Sequence, residues 1–141
     1  MINMLSKPKI IIVDDHAMFR EGMKLLIETE GFGEVVAEAD NGQAFLDILE
    51  NNMPDLVLMD IEMPVMGGLE ATIRAMSSRP YLKVLVMTMF CRKSDYADMI
   101  NAGVMGLVLK TAGKQTIEKA IKTVIGGGSF FSNDLLRQTV N

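Results

Sequence analysis

Asp60 closes an apolar run, Leu56-Val57-Leu58-Met59, and is followed by a loop holding Pro64 and Gly67-Gly68. An uninterrupted apolar run of this length reads as a central parallel strand covered on both faces. In open α/β sheets, ligands and chemistry sit just beyond the carboxyl ends of such strands. Three other strand-like runs end in polar residues. Lys9–Val13 leads to Asp14-Asp15-His16, Leu82–Met87 to Thr88, and Met105–Leu109 to Lys110. Three carboxylates brought together repel, and uncompensated at least one has its pKa raised. A divalent cation relieves this, and Mg2+ is commonly held by one or two carboxylates plus a phosphate. An aspartate is also a nucleophile towards phosphorus, giving an acyl phosphate. A lysine ammonium and a metal neutralise the transferring phosphoryl group, and a hydroxyl such as that of Thr88 can reach a phosphate oxygen. One reaction uses all of these parts: phosphoryl transfer onto Asp60.

The elements that must position these residues alternate. After the first strand, Phe19, Met23, Leu26 and Ile27 share a helical face that Gly31 closes as a C-terminal cap. Glu34–Glu38 is a shorter, more polar strand, as expected at a sheet edge. Asp40-Asn41-Gly42 turns into a helix carrying Phe45, Ile48 and Leu49. After Gly67-Gly68, Leu69, Ile73 and Met76 recur at helical spacing up to Arg79-Pro80. Ser94 is the expected cap of a weakly amphipathic helix ending at Gly103. Ile117, Ala120, Ile121 and Val124 mark the last periodic helix, stopped by Gly126-Gly127-Gly128. Strand and helix thus alternate five times with short connections. The expected fold is α/β: a doubly wound, five-stranded parallel sheet of order 2-1-3-4-5 with helices on both faces.

The 141 residues suffice for one domain. A net charge of −4 provides no basic stripe for nucleic acid. The single cysteine, Cys91, cannot form an internal disulfide, which suits a reducing cytoplasm. Neither a signal peptide nor a run long enough to span a membrane is legible, so a cytoplasmic location is expected.

Val13-Asp14-Asp15-His16, Met59-Asp60-Ile61-Glu62-Met63-Pro64 with Gly67-Gly68, Thr88 and Lys110 together resemble the receiver domain of bacterial two-component response regulators. The resemblance runs from about Lys9 to Gly127. It implies a flavodoxin-like receiver fold in which Asp60 is the phosphoacceptor. Asp15 and Asp60 would bind Mg2+ directly with the backbone carbonyl of Glu62, and Asp14 would hold metal-bound water. Lys110 would pair with the phosphoryl group, and Thr88 would be the switch hydroxyl. The implied partners are a sensor histidine kinase and, on phosphorylation, a second copy of the chain. The His after the acidic pair and the tail Gly-Gly-Ser-Phe-Phe-Ser-Asn-Asp-Leu-Leu resemble the NarL/FixJ class, which carries a C-terminal DNA-binding helix-turn-helix. On this reading residues 1–8 are an N-terminal extension and 9–127 the receiver. Residues 128–141 are a linker to an output absent from this chain, with Ser132 capping a helix that bears Leu135, Leu136 and Val140.

Each residue also has a plainer reading. Asp14 and Asp15 can cap the first helix, Thr88 alone is a turn hydroxyl, and Lys110 alone is a solvated lysine. His16 is read as a surface or capping residue rather than a metal ligand, and Cys91 as an ordinary thiol. The family's usual aromatic residue, three positions before the lysine, is Leu107 here, and Tyr96 or Phe90 is expected to substitute. Met89 follows Thr88 where a small residue is common, which is expected to restrict access. A phosphorylation-independent interaction module on the same fold therefore stays open. A flavodoxin-like cofactor binder would need a Gly/Ser/Thr-rich loop where this chain has Asp-Asp-His. A haloacid-dehalogenase-type phosphatase would need a threonine near Glu62 that this chain lacks.

Overall fold

The computed structural model describes residues 6–132. Its strands and helices alternate as β1 (Lys9–Val13), α1 (Ala17–Glu30), β2 (Glu34–Ala39), α2 (Gly42–Leu49), β3 (Leu56–Met59), α3 (Gly68–Ser78), β4 (Val84–Thr88), α4 (Lys93–Ala102), β5 (Gly106–Leu109), α5 (Lys114–Ile125) and β6 (Phe130–Phe131). All strand pairs are parallel, in the order β2-β1-β3-β4-β5-β6. The expected order holds across five strands, but the sheet has six. Phe130 and Phe131 register against Gly106 and Leu107, so the chain beyond the glycines of 126–128 returns to extend the sheet. The helix expected over Leu135, Leu136 and Val140 lies outside the described residues.

Alternation within the strands builds two cores. Ile11, Val13, Val57, Met59, Val84 and Val86 face α2, α3 and α4, where they meet Phe45, Leu49, Ala71, Ala75 and Met99. Ile10, Ile12, Leu56, Leu58, Leu85 and Met87 face α1 and α5 and meet Met23, Ile27, Ile117, Ala120, Ile121 and Val124. Strands covered on both faces must be apolar at every position, and the buried runs of β1, β3 and β4 follow from that. Gly31 closes α1 at φ 76° and Gly103 closes α4 at φ 102°, the left-handed conformation glycine adopts without a Cβ penalty. Asn41 caps α2 by accepting the Ala44 N–H at 2.9 Å.

Two local expectations are corrected. The buried face of α3 is Gly68, Ala71, Thr72 and Ala75, while Ile73 is 52% exposed and Leu69 and Met76 are half-buried. Leu69 and Met76 still pack against the core, but the innermost positions go to small residues where Gly42 of α2 and the Asp60 loop come close, so Ile73 alone departs from the face its spacing implied. The cap of α4 is Arg92, whose N–H donates to the Asp95 carboxylate at 3.1 Å; Ser94 lies inside the first turn. An acidic group reaching back satisfies an orphan N–H and also suits the helix dipole.

Thr72 is fully buried and its Oγ1 has no hydrogen-bond partner among the described residues. Leaving a buried hydroxyl unpaired costs about 1–3 kcal/mol. Thr72→Val, which keeps the shape, is expected to stabilise the domain by about 1 kcal/mol, measured as a higher urea midpoint at unchanged m-value. An unchanged or lower midpoint would mean that the hydroxyl is satisfied in solution.

Candidate functional site

The backbone ladder fixes the site before any side chain contributes. Asp14 N–H donates to Ala39 O at 3.0 Å, and Asp60 N–H to Val13 O at 2.9 Å, carrying the ladders of β1 and β3 past their last residues. Lys110 N–H donates to Thr88 O at 2.7 Å and does the same for β4 and β5. Four strand ends therefore deliver Asp14, Asp60, Thr88 and Lys110 to one rim of the sheet. Arg20 of α1 secures the first of them, donating from its guanidinium to Asp14 O at 2.6 Å and to Glu38 Oε1 at 3.2 Å.

The loop after Asp60 approaches closely. Gly68 N–H donates to Ile61 O at 2.7 Å, and a Cβ on Gly68 would lie 1.9 Å from the Asp60 carbonyl oxygen. Only glycine fits there, so the Gly67-Gly68 pair sets the path of the loop under the acid. Val65 in the same loop adopts φ 68°, a left-handed conformation that strains a β-branched residue.

The side chains form a compact charged centre. Lys110 is 3% exposed at its side chain and pairs with Asp14 Oδ2 at 2.5 Å and Asp60 Oδ2 at 3.2 Å. Asp60 Oδ1 accepts the Ile61 N–H at 2.8 Å. Carboxylate oxygens of Asp14, Asp15 and Asp60, with a ring nitrogen of His16, lie within 4.8 Å of one another. Burial, followed by the charge of Asp14, raises the Asp60 pKa, while Lys110 and the Ile61 N–H pull it down. Two buried acids share one lysine. The centre is short of positive charge, and its oxygen donors suit a hard divalent cation.

The centre lies at the base of a cleft of about 290 Å³ lined by Asp15, Asp60, Glu62, Thr88, Met89, Phe90 and Lys110, among others. Glu62 is exposed at its edge. Thr88 is 4% exposed, and its hydroxyl donates to Phe90 O at 3.1 Å, which ties the end of β4 to the loop before α4. Met89 and Phe90 stand out from that loop, 59% and 50% exposed. Leu107 is fully buried in β5, away from the cleft lining. Tyr96 packs edge-to-face on Phe131 at 6.0 Å, and both rest on the core that contains Leu107. The aromatic cover of this strand is thus supplied by α4 and β6.

His16 is exposed, its N–H donating to Asp14 Oδ1 at 2.8 Å and its ring 3.3 Å from the same oxygen. It occupies the N-cap position of α1 without a side-chain cap bond. Cys91 is buried, and burial followed by the Asp95 charge pushes its thiol up to about 11, which fits a structural cysteine rather than a reactive one. Two contributors were not legible in sequence as part of the site. Phe19 of α1 puts its ring 4.5 Å from Lys110 Nζ, and Phe131 meets Tyr96 from β6. Phe19 carried only the signal of a residue on the apolar face of α1.

A doubly wound sheet with an acid–lysine–hydroxyl cleft at its carboxyl rim defines a signalling-type α/β domain more narrowly than the fold alone. The chain belongs to the response regulator receiver domain family, whose model matches residues 10–122. It is 40% identical over 133 residues to the transcriptional regulatory protein LnrK of Bacillus subtilis, covering 94% of this chain and 60% of that protein. It is 37% identical over 132 residues to the response regulator GacA of Pseudomonas aeruginosa, covering 92% and 61%. Among solved structures, a LuxR-family two-component response regulator from Aurantimonas superposes with a TM-score of 0.88 at 31% identity, covering 94% of this chain and 95% of that one. The chain spans less than two thirds of the length of the curated relatives it matches. No helix among the described residues is long and apolar enough to cross a membrane.

Proposed function

We propose that this chain is a phosphoacceptor switch in which Asp60 takes a phosphoryl group from the phosphohistidine of a sensor histidine kinase. The observation that carries this reading is the buried Lys110 shared between Asp14 and Asp60 at the base of an open cleft. An Asp60 carboxylate oxygen attacks phosphorus and the P–N bond breaks. Its electron pair returns to the imidazole nitrogen, which takes up a proton, and an acyl phosphate remains. Lys110 meets the phosphoryl oxygens as their charge develops. Asp15, Asp60 and the Glu62 carbonyl would hold Mg2+, with Asp14 holding its water. The bound ion supplies positive charge that offsets the repulsion between acids and phosphoryl oxygens. The nitrogen of His16 is a poor match for so hard a cation and stays outside this set.

Transmission starts at Thr88. Its hydroxyl is held by Phe90 O, and turning it to a phosphoryl oxygen would release that loop and shift α4 between two arrangements. Met89 and Phe90 modulate access from the cleft edge, while Tyr96 and Leu107 lie on the path from that loop to β5. The role is regulatory, that of an acceptor and not a turnover catalyst. The relatives named as transcriptional regulatory proteins support control of a DNA-binding output, with residues 128–141 leading towards it; the switch itself is cytoplasmic and homodimerises on phosphorylation.

The test is intact mass after acetyl phosphate treatment with and without Mg2+, beside Asp60→Asn. One added phosphate that needs the metal and is lost in the variant is the expected result. Unlabelled wild-type protein that nonetheless binds beryllofluoride would indicate a short-lived phosphoryl form. Failure of both would point to a phosphorylation-independent module.

A further inference from the structure

The Lys110 ammonium has three close neighbours in the described structure. Two are the carboxylates of Asp14 and Asp60, at 2.5 and 3.2 Å, and the third is the ring of Phe19, with its centroid 4.5 Å from Nζ. Phe19 stands in the first turn of α1, half-buried against the core between α1 and α5. An ammonium has three N–H donors and no acceptor. A carboxylate neighbour uses up a donor, but an aromatic face attracts the charge through its quadrupole without supplying a lone pair.

That difference matters if Asp60 accepts a phosphoryl group, the reading on which this inference rests. On transfer, the Asp60 oxygen that attacked becomes the bridging oxygen of an acyl phosphate, and the negative charge moves outward to the phosphoryl oxygens. Lys110 must then leave Asp60 and follow the charge. Asp14 holds it back, because its carboxylate is 2% exposed and closer. A neighbour that confines the ammonium yet leaves its donors free would favour the move.

We propose that Phe19 is a positioning residue for phosphoryl transfer, its ring face holding the Lys110 ammonium at the acid cluster with donors available to the phosphoryl oxygens. The ring acts through Lys110 and does not touch the reacting atoms. A packing residue of similar size would fill the same space but would not hold the charge.

The experiment replaces Phe19 by 4-fluoro- and 3,4,5-trifluorophenylalanine, which keep the ring's shape while draining its face. The readout is the rate constant of Asp60 labelling by acetyl phosphate at saturating Mg2+. A stepwise fall along the series, reaching about tenfold for the trifluoro ring, is expected from the size of a desolvated cation–π contact. Phe19→Tyr is expected to label like wild type, and Phe19→Leu as slowly as the trifluoro ring. The Mg2+ dissociation constant and the Tm are expected to stay constant along the fluorinated series. Equal rates across that series, with wild type labelled normally, would overturn the role of the ring and leave Asp60 as acceptor. A rate loss that tracks a loss of Tm would also overturn it, making the ring a packing element. Wild-type protein that neither labels nor binds beryllofluoride would remove the phosphoacceptor reading, and the inference with it.

Discussion

Replacing Lys110 with methionine is expected to slow Asp60 phosphorylation by a factor of about 10²–10³, the usual cost of removing one donor aimed at developing charge. The fold should weaken at the same time. Lys110 is the counter-charge that Asp14 and Asp60 share, and all three side chains are at most 6% exposed. Removing one partner of a buried ionic cluster costs about 3–5 kcal/mol. Part of that loss is recoverable, because Asp60, already raised in pKa by burial and by Asp14, can take up a proton when its lysine is gone. The variant in EDTA should therefore lose stability more steeply than wild type as pH rises. Saturating Mg2+ should restore much of the stability, since a cation replaces the missing charge, but not the labelling rate. Urea denaturation with and without Mg2+ and acetyl phosphate kinetics measure the two effects separately. A variant as stable as wild type in EDTA at neutral pH would show that Asp14 and Asp60 do not repel appreciably. Labelling at the wild-type rate would remove Lys110 from the transfer.

Asp60→Asn is expected to raise stability in the absence of metal while abolishing labelling. The sign follows from linkage. The folded pKa of Asp60 lies above its ordinary value of 3.8, so between those two values the native state binds more protons than the unfolded state. The contribution of Asp60 to stability is then fully present below pH 3.8 and is lost as pH rises through the folded pKa. At neutral pH the ionised side chain is a net cost, set by burial and by the facing Asp14. Asparagine keeps the shape, removes the charge and leaves Asp14 and Lys110 as a balanced pair. A gain of about 1–2 kcal/mol at pH 7 in EDTA, comparable to one buried polar defect, is the expected size. The gain should shrink towards pH 4. Mg2+ should narrow it from the other side, because a ligand at one hundred times its dissociation constant stabilises wild type by about 2.7 kcal/mol and binds the variant less well. Thermal melts at pH 4, 5.5 and 7, with and without Mg2+, test both trends. A variant less stable than wild type in EDTA at pH 7 would falsify the charge argument.

Both predictions rest on residues that the sequence alone marks out. The strand runs at Ile10–Val13, Leu56–Met59 and Val84–Met87 are continuous apolar segments, because a strand covered on both faces tolerates no polar alternation. The first polar residue after each run therefore falls at the carboxyl rim, which is how Asp14, Asp60 and Thr88 could be placed together while far apart in sequence. The glycines at 31 and 103 marked helix ends for the same kind of local reason: only a residue without Cβ takes positive φ without penalty.

Tertiary structure decided everything that depends on which surfaces meet. The buried face of α3 is Ala71, Thr72 and Ala75 because close packing rewards small side chains, whereas hydrophobic spacing rewarded Leu69, Ile73 and Met76. The sixth strand exists because Phe130 and Phe131 find the open edge of β5, and a two-residue pairing has no periodicity to read. Phe19 meets Lys110 only because α1 starts just past the end of β1, at the rim across which the Lys110 side chain reaches to Asp14, and its spacing within α1 carries no trace of a lysine so remote in the chain. Local sequence thus determined the elements and the acids at their ends, since propensity, caps and apolar runs act over a few residues. The charge balance of the site and the aromatic contacts around it arise from long-range packing, and those only the folded chain contains.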